Sequence, residues 1–273
     1  MPEWVGWSPL LLGAGALAGL TAGLFGIGGG FVVVPVLMFI LPMLGAMPES
    51  LAHVAIGTSL ATIVVTSLRS VQAHARRGAV DTTVLRDWAP WLAIGVVGGV
   101  LLAGRMDGSA LILVFGVGVF LMSLHFLFPV LAGRQWRTAM PGLGVRATIA
   151  GSLGAFSSLL GIGGGTIAVI VMTLCGLSIH RSIATAAGFG TIIAIPGTLG
   201  FIFIGLGADG LPSGSLGYVN WPAALAISLA SLVTAPWGVQ LAHRLDARTL
   251  SRLFGFYLLL VSAAMVRKGL TGL

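Results

Sequence analysis

The sequence predicts an all-α polytopic membrane protein made of two inverted five-segment repeats, with broken or re-entrant helices at glycine-rich motifs. Three observations lead there. Of the 273 residues, 57% are hydrophobic and 8% charged, whereas a soluble chain carries about 25% charged residues to wet its surface. Gly26-Ile27-Gly28-Gly29-Gly30 returns as Gly161-Ile162-Gly163-Gly164-Gly165, each copy between a small-residue helix and an apolar run. The basic residues gather in alternate connections, as cytoplasmic loops require.

The elements follow in chain order. Apolar spans run over 8–27, 31–45, 51–73, 88–104, 109–131, 147–161, 166–175, 182–206, 221–242 and 250–266. A crossing needs about 20 apolar residues, which the third, fourth, fifth, eighth, ninth and tenth spans supply. The second and seventh are short and directly follow the glycine clusters. The second also holds Pro35 and Pro42, so it either crosses or re-enters. An open sheet edge finds no partner in lipid, so all of these are helices. Only Glu3 is charged before the first span, and no cleavable leader is expected.

The repeat has further anchors. Gly99–Asp107 corresponds to Gly238–Asp246, and Leu111, Phe115 and Gly116 to Leu250, Phe254 and Gly255. Residues 1–131 therefore form the first membrane repeat, 132–146 a cytoplasmic linker and 147–273 the second repeat, in one integral membrane domain. With the amino terminus outside, eleven of the 14 basic residues lie inside. Five segments is an odd number, so the second half enters from the opposite side and both termini are expected outside. The location implied is a bacterial cytoplasmic membrane, with the net charge of +7 serving topology rather than nucleic-acid binding.

Composition also limits the chemistry. The single cysteine, Cys175, excludes an internal disulfide and a multi-thiolate zinc site. The five histidines are never paired at ligand spacing. All seven acids lie in loops or at span edges, so no embedded carboxylate is available as a proton relay or sodium ligand. Without nucleotide-binding or hydrolase motifs, no enzyme, catalytic residue, cofactor or metal is expected. Lipid and a small anion are the expected partners, and a homo-oligomer is left open.

Three glycines in a row break a membrane helix, and such irregular backbone survives only inside protein or beside a watery cavity. The helix resuming at Phe31 or Thr166 turns its free N–H groups and positive dipole end toward the break, which suits an anion. Paired breaks in corresponding halves point to a transporter's site; close helix packing is the alternative. Gly28, Gly29, Gly30, Gly163, Gly164 and Gly165 are thus candidate backbone donors, with Thr166 beside them. Ser59, Thr62, Thr66 and Arg69 share one face of the third span, flanked by Thr58 and Ser67. Their hydroxyls either meet an anion or bond back to their own helix. Thr191 matches Thr62 in the second half, and Ser157 and Ser158 precede the second cluster. Arg69 is either an anion attractor or a snorkelling anchor. A neutral pathway of this kind suits passive anion export down the membrane potential, about 2.3 kcal/mol per charge per 100 mV.

The doubled Gly-Ile-Gly-Gly-Gly at 26–30 and 161–165, followed by Ala55-x-Gly57-Thr58-Ser59, resembles the TauE/SafE, or sulfite-exporter, family. The similarity covers about 8–266. It implies a multi-pass cytoplasmic-membrane transporter of small sulfur-containing anions such as sulfite or sulfonates, often an exporter. The second half departs from the pattern at Ala186-Ala187-Gly188, which lacks the hydroxyl pair. Alternating access at a midplane site is the expected mechanism, against an anion channel or an importer of a carboxylate or sulfonate.

Overall fold

The fold is known from a computed structural model, which describes residues 4–25, 29–128, 140–242 and 247–271. Ten α-helices lie among these residues, one for each apolar span. In the first half they are α1 (Trp4–Phe25), α2 (Gly30–Ile40), α3 (Pro48–Ala75), α4 (Thr82–Ala103) and α5 (Gly108–Leu127). The second half has α6 (Leu143–Leu160), α7 (Gly165–Leu174), α8 (Ile179–Ile204), α9 (Trp221–Ala242) and α10 (Ala247–Thr271). Six stretches are long and apolar enough to cross a membrane: α3, α4, α5, α6, α8 and Ser251–Thr271 of α10. Helix α6 begins four residues before its apolar span, absorbing Arg146, and so reaches 18 residues.

Local chemistry explains the helix ends. Pro48 opens α3 at the first helical position, where its missing N–H costs nothing. Asp81 caps α4 by accepting from the Val84 N–H at 3.1 Å, and Asp107 caps α5 through the Ala110 N–H at 2.6 Å. These two acids therefore satisfy helix-start donors. Helix α2 runs into a 3-10 turn at Leu41–Leu44, with Pro42 near its start and left-handed Gly45 after it. Between α8 and α9 a two-residue antiparallel hairpin pairs Ser215 with Asn220 and Leu216 with Val219, strands β1 and β2. Asn220 then caps α9 through the Ala223 N–H.

Glycines set the closest helix contacts, by allowing backbones to approach. Gly15 and Gly19 of α1 face Ile227 and Ser231 of α9, while Gly238 of α9 faces Leu20, so these helices run parallel. Gly95 and Gly99 of α4 face Gly151 and Ala155 of α6, also in parallel. Two other pairs are antiparallel. In α3 and α8, Gly57 meets Phe201, Leu60 meets Gly197 and Ser67 meets Gly190. In α5 and α10, Leu113 meets Gly269 and Leu127 meets Gly255.

Helix α3 is the centre. In its most apolar 18-residue stretch 78% of residues are buried, against 33–44% in the other five. The peripheral helices turn bulky apolar side chains outward: Ile94, Leu101, Phe120, Leu199, Phe203, Leu229 and Leu260 are all exposed. Water would penalise so large an apolar exterior, whereas hydrocarbon accepts it.

The two ends of the bundle differ. At one end, His53 of α3 meets the Ala103 carbonyl at 2.9 Å and packs on Tyr218, and the Met47 N–H reaches the Gly210 carbonyl. The other end carries ion pairs, Arg181 with Asp81 at 2.9 Å and Arg146 with Asp87.

Candidate functional site at the two glycine breaks

Of the first cluster, Gly28 lies outside the described residues with Gly26 and Ile27. Gly29 is left-handed (φ 77°) and starts α2. In the second break, Gly161 closes α6 at φ 62° and Gly164 opens α7 at φ 66°. L-residues pay about 1–2 kcal/mol in that conformation, which explains glycine at these positions.

The two breaks touch. A Cβ on Gly30 would stand 2.5 Å from the Gly161 carbonyl oxygen and 3.1 Å from the Ile162 Cα. A Cβ on Gly161 would crowd Ile56 of α3, and one on Gly163 would meet Ile63 and Gly190. The breaks therefore join each other against the crossing of α3 and α8, the most enclosed part of the molecule.

The hydroxyl stripe of α3 divides among different partners. Ser59, fully buried, donates to the Gly161 carbonyl at 2.8 Å. Thr58 accepts from the Asn220 N–H at 2.9 Å, tying the hairpin to α3. Thr62 donates to the Ser59 carbonyl at 2.7 Å, and Thr66 bonds back to Thr62 and Ile63. Thr191 pairs with Ser67 across α3 and α8 at 3.0 Å. Ser158 bonds its own helix at Ala155, and Arg69 is exposed near the end of α3. Composition and spacing alone did not reveal the Ser59–Gly161 and Ser67–Thr191 links. They depend on which helices cross, although the glycines at 57, 190 and 197 mark where the crossing is tight.

The second break also holds hydroxyls with nothing to bond. Ser157 is wholly buried, and neither its Oγ nor the buried Thr166 Oγ1 has a hydrogen-bond partner among the described residues. At the start of α7 the Ala168 N–H reaches the Gly164 carbonyl, leaving the amides of Gly165, Thr166 and Ile167 without an acceptor among the described residues. Neighbours of the break glycines are apolar or hydroxyl-bearing: Ile56, Ile63, Leu153, Ser157 and Ile193. Of the five acids among the described residues, Glu49, Asp81, Asp107 and Asp209 stand in loops or within a turn of a helix end, and Asp87, in the second turn of α4, is ion-paired with Arg146. No cluster of three or more potential metal ligands occurs among the described residues.

A mostly helical bundle with six helices long and apolar enough to cross a membrane has the architecture of a multi-pass membrane protein. Its sequence relatives agree. The chain belongs to the sulfite exporter TauE/SafE family, whose model matches residues 11–265. A "probable membrane transporter protein" of Haemophilus influenzae is 35% identical over 260 residues, 95% of this chain and 98% of the relative. Proteins described in the same terms match from Methanocaldococcus jannaschii (26% identity, 89% of each chain) and Bacillus subtilis (25% identity, 96% of this chain and 98% of the relative). No solved structure matches the chain.

Proposed function

We propose that this transporter exports small sulfur-containing anions of the sulfite or sulfonate class, by alternating access at the joined glycine breaks. The single observation that carries the reading is the contact of Gly30 with Gly161 and Ile162. It brings two interrupted helices, one from each half, to one buried point with helix-start amides nearby.

The helix directions support an inverted repeat. Exchanging the halves turns the parallel pair α1–α9 into the parallel pair α6–α4, and carries α3–α8 and α5–α10 onto themselves. A self-matched pair runs antiparallel only when the repeats point in opposite directions, as both do. In this reading residues 1–131 and 147–273 are the repeats, and both termini face outward from a bacterial cytoplasmic membrane. The ion-paired end, with Arg146 and Arg181, then faces the cytoplasm. Gly29, Gly30, Gly163, Gly164 and Gly165 supply backbone donors and flexing points, and Gly28 belongs to the same set. Thr58, Ser59, Thr62, Thr66, Ser158, Thr166 and Thr191 line the route, and exposed Arg69 draws anions to its inner mouth.

Proteoliposomes loaded with sulfite, thiosulfate or sulfonates test this. Outward flux should saturate with substrate and rise with an imposed inside-negative potential. Gly29→Val and Gly164→Val should insert normally and transport nothing. Flux indifferent to voltage removes the export reading, and normal flux in both variants removes the breaks from the pathway. Unsaturable single-channel currents identify a channel instead.

A further inference from the structure

We infer that, of the two breaks along the route, the second is where the ligand comes to rest, as one monoanionic oxyanion gripped by the hydroxyls of Ser157 and Thr166 and the free amides of α7. This deepens the transport reading and rests on it.

The first argument is an asymmetry between the breaks. Carried by the 135-residue repeat offset, Ser157 corresponds to Ala22 and Thr166 to Phe31. The first break therefore has no hydroxyl at either place. Phe31 is buried there edge-on to Phe254. The amides of α2 are also more fully used, since Val32 and Val33 both donate to the Gly29 carbonyl. In α7 only the Ala168 amide reaches back to Gly164, and three amides stay open among the described residues.

The second argument is Ser157 itself. A serine near a helix end ordinarily bonds back to its own helix, as Ser158 does to Ala155. Ser157 makes no such bond although it is completely buried. Its Oγ lies 2.8 Å from where a Cβ on Gly164 would be, directly beside the residue that opens α7. An unsatisfied buried hydroxyl is a standing cost to the fold, and one beside the residue that opens α7 is satisfied by an acceptor that it shares with the open amides. An oxyanion with two or more oxygens on one centre is such an acceptor.

The third argument sets the charge. The break is walled by Leu153, Ile63 and Ile193, and the donors are all neutral. Desolvation grows with the square of the charge, while neutral hydrogen bonds grow far more slowly. A monoanion such as hydrogensulfite or an alkylsulfonate meets that balance, and a dianion such as sulfate does not.

Thermal stabilisation of the purified full chain by methanesulfonate and by sulfate, with flux in proteoliposomes alongside, tests the assignment. Methanesulfonate should raise the Tm of the wild type and sulfate should leave it unchanged. Ser157→Ala and Thr166→Val should each weaken methanesulfonate binding about tenfold or more, the worth of one hydrogen bond to a charged group. The ligand-free Tm of Ser157→Ala should equal or exceed that of the wild type, a result that a merely structural serine would not give. Sulfite, which loses its second proton near neutral pH, should bind more tightly as pH falls, while methanesulfonate stays constant. Wild-type binding in both variants overturns the assignment and leaves the transport reading standing. Equal stabilisation by sulfate overturns the monoanion claim. A wild type that neither binds nor moves any of these anions overturns the transport reading, and this inference with it.

Discussion

The Ser59 hydroxyl donates to the carbonyl of Gly161, 2.8 Å away and 102 residues later in the chain. One side chain of the central helix of the first half thus fixes the broken backbone of the second half. The carbonyl needs it, because Gly161 ends α6 in a left-handed turn and continues into no further helix hydrogen bond.

Removing that tie should be felt as stability. Ser59→Ala leaves a buried carbonyl unsatisfied and should cost about 1–3 kcal/mol, read as a lower denaturation midpoint in detergent. Ser59→Thr, which keeps the donor, should restore much of it. An unchanged midpoint in Ser59→Ala contradicts the role.

The glycines should divide by their surroundings. Gly164→Ala carries about 1–2 kcal/mol of left-handed strain, and its Cβ would fall 2.8 Å from both Ile193 and Ser157. Gly98→Ala, with nothing within 4 Å of its Cβ, should be neutral or stabilising, since alanine is the better helix former. Equal effects of the two substitutions on thermal unfolding refute this division.

Asp81 combines two tasks, and three variants separate them. Asp81→Ala should lose about 1 kcal/mol or more through the α4 cap. Asp81→Asn keeps an acceptor for the Val84 N–H and should lose less. Arg181→Ala, whose side chain is 56% exposed in the pair, should cost less than about 1 kcal/mol. If Arg181→Ala costs more than Asp81→Ala, the ion pair outweighs the cap and the division of tasks is wrong.

Sidedness can be read by labelling. In a Cys175→Ser background, Asp209→Cys should react with an impermeant maleimide on intact cells, and Ala75→Cys only after permeabilisation. The reverse pattern inverts the proposed orientation.

The sequence displayed the ten helices and the interruption between α6 and α7 because each depends on local chemistry: apolar length makes a helix in lipid, and tripled glycine ends it. The beginning of α6 at Leu143 was hidden by Arg146, whose charge ends an apolar run but is neutralised in the structure by Asp87. The destinations of the hydroxyls were hidden too. Thr62, Thr66, Ser59 and Ser67 share a composition and a helix, yet two bond to their own backbone and two reach a different helix. Only the crossing of α3 with α8 and the approach of the second break decide between these outcomes. The acids looked merely peripheral in the sequence, and Asp81 and Asp107 proved to be helix caps.

The parallel pairing of α1 with α9 has a consequence for biosynthesis. Gly15 and Gly19 meet residues about 200 positions later, so at ~5–20 residues per second the first helix waits roughly 10–40 s for its partner. During that interval its small-residue face lies open to lipid. Thr21 bonds to its own helix at Leu17 and Ala18, so this hydroxyl needs no later helix to be satisfied. Completing α9 therefore closes a gap along α1, and a ribosome stalled before α9 would leave a chain whose first helix has α2 beside it but lacks the partner for its glycine face.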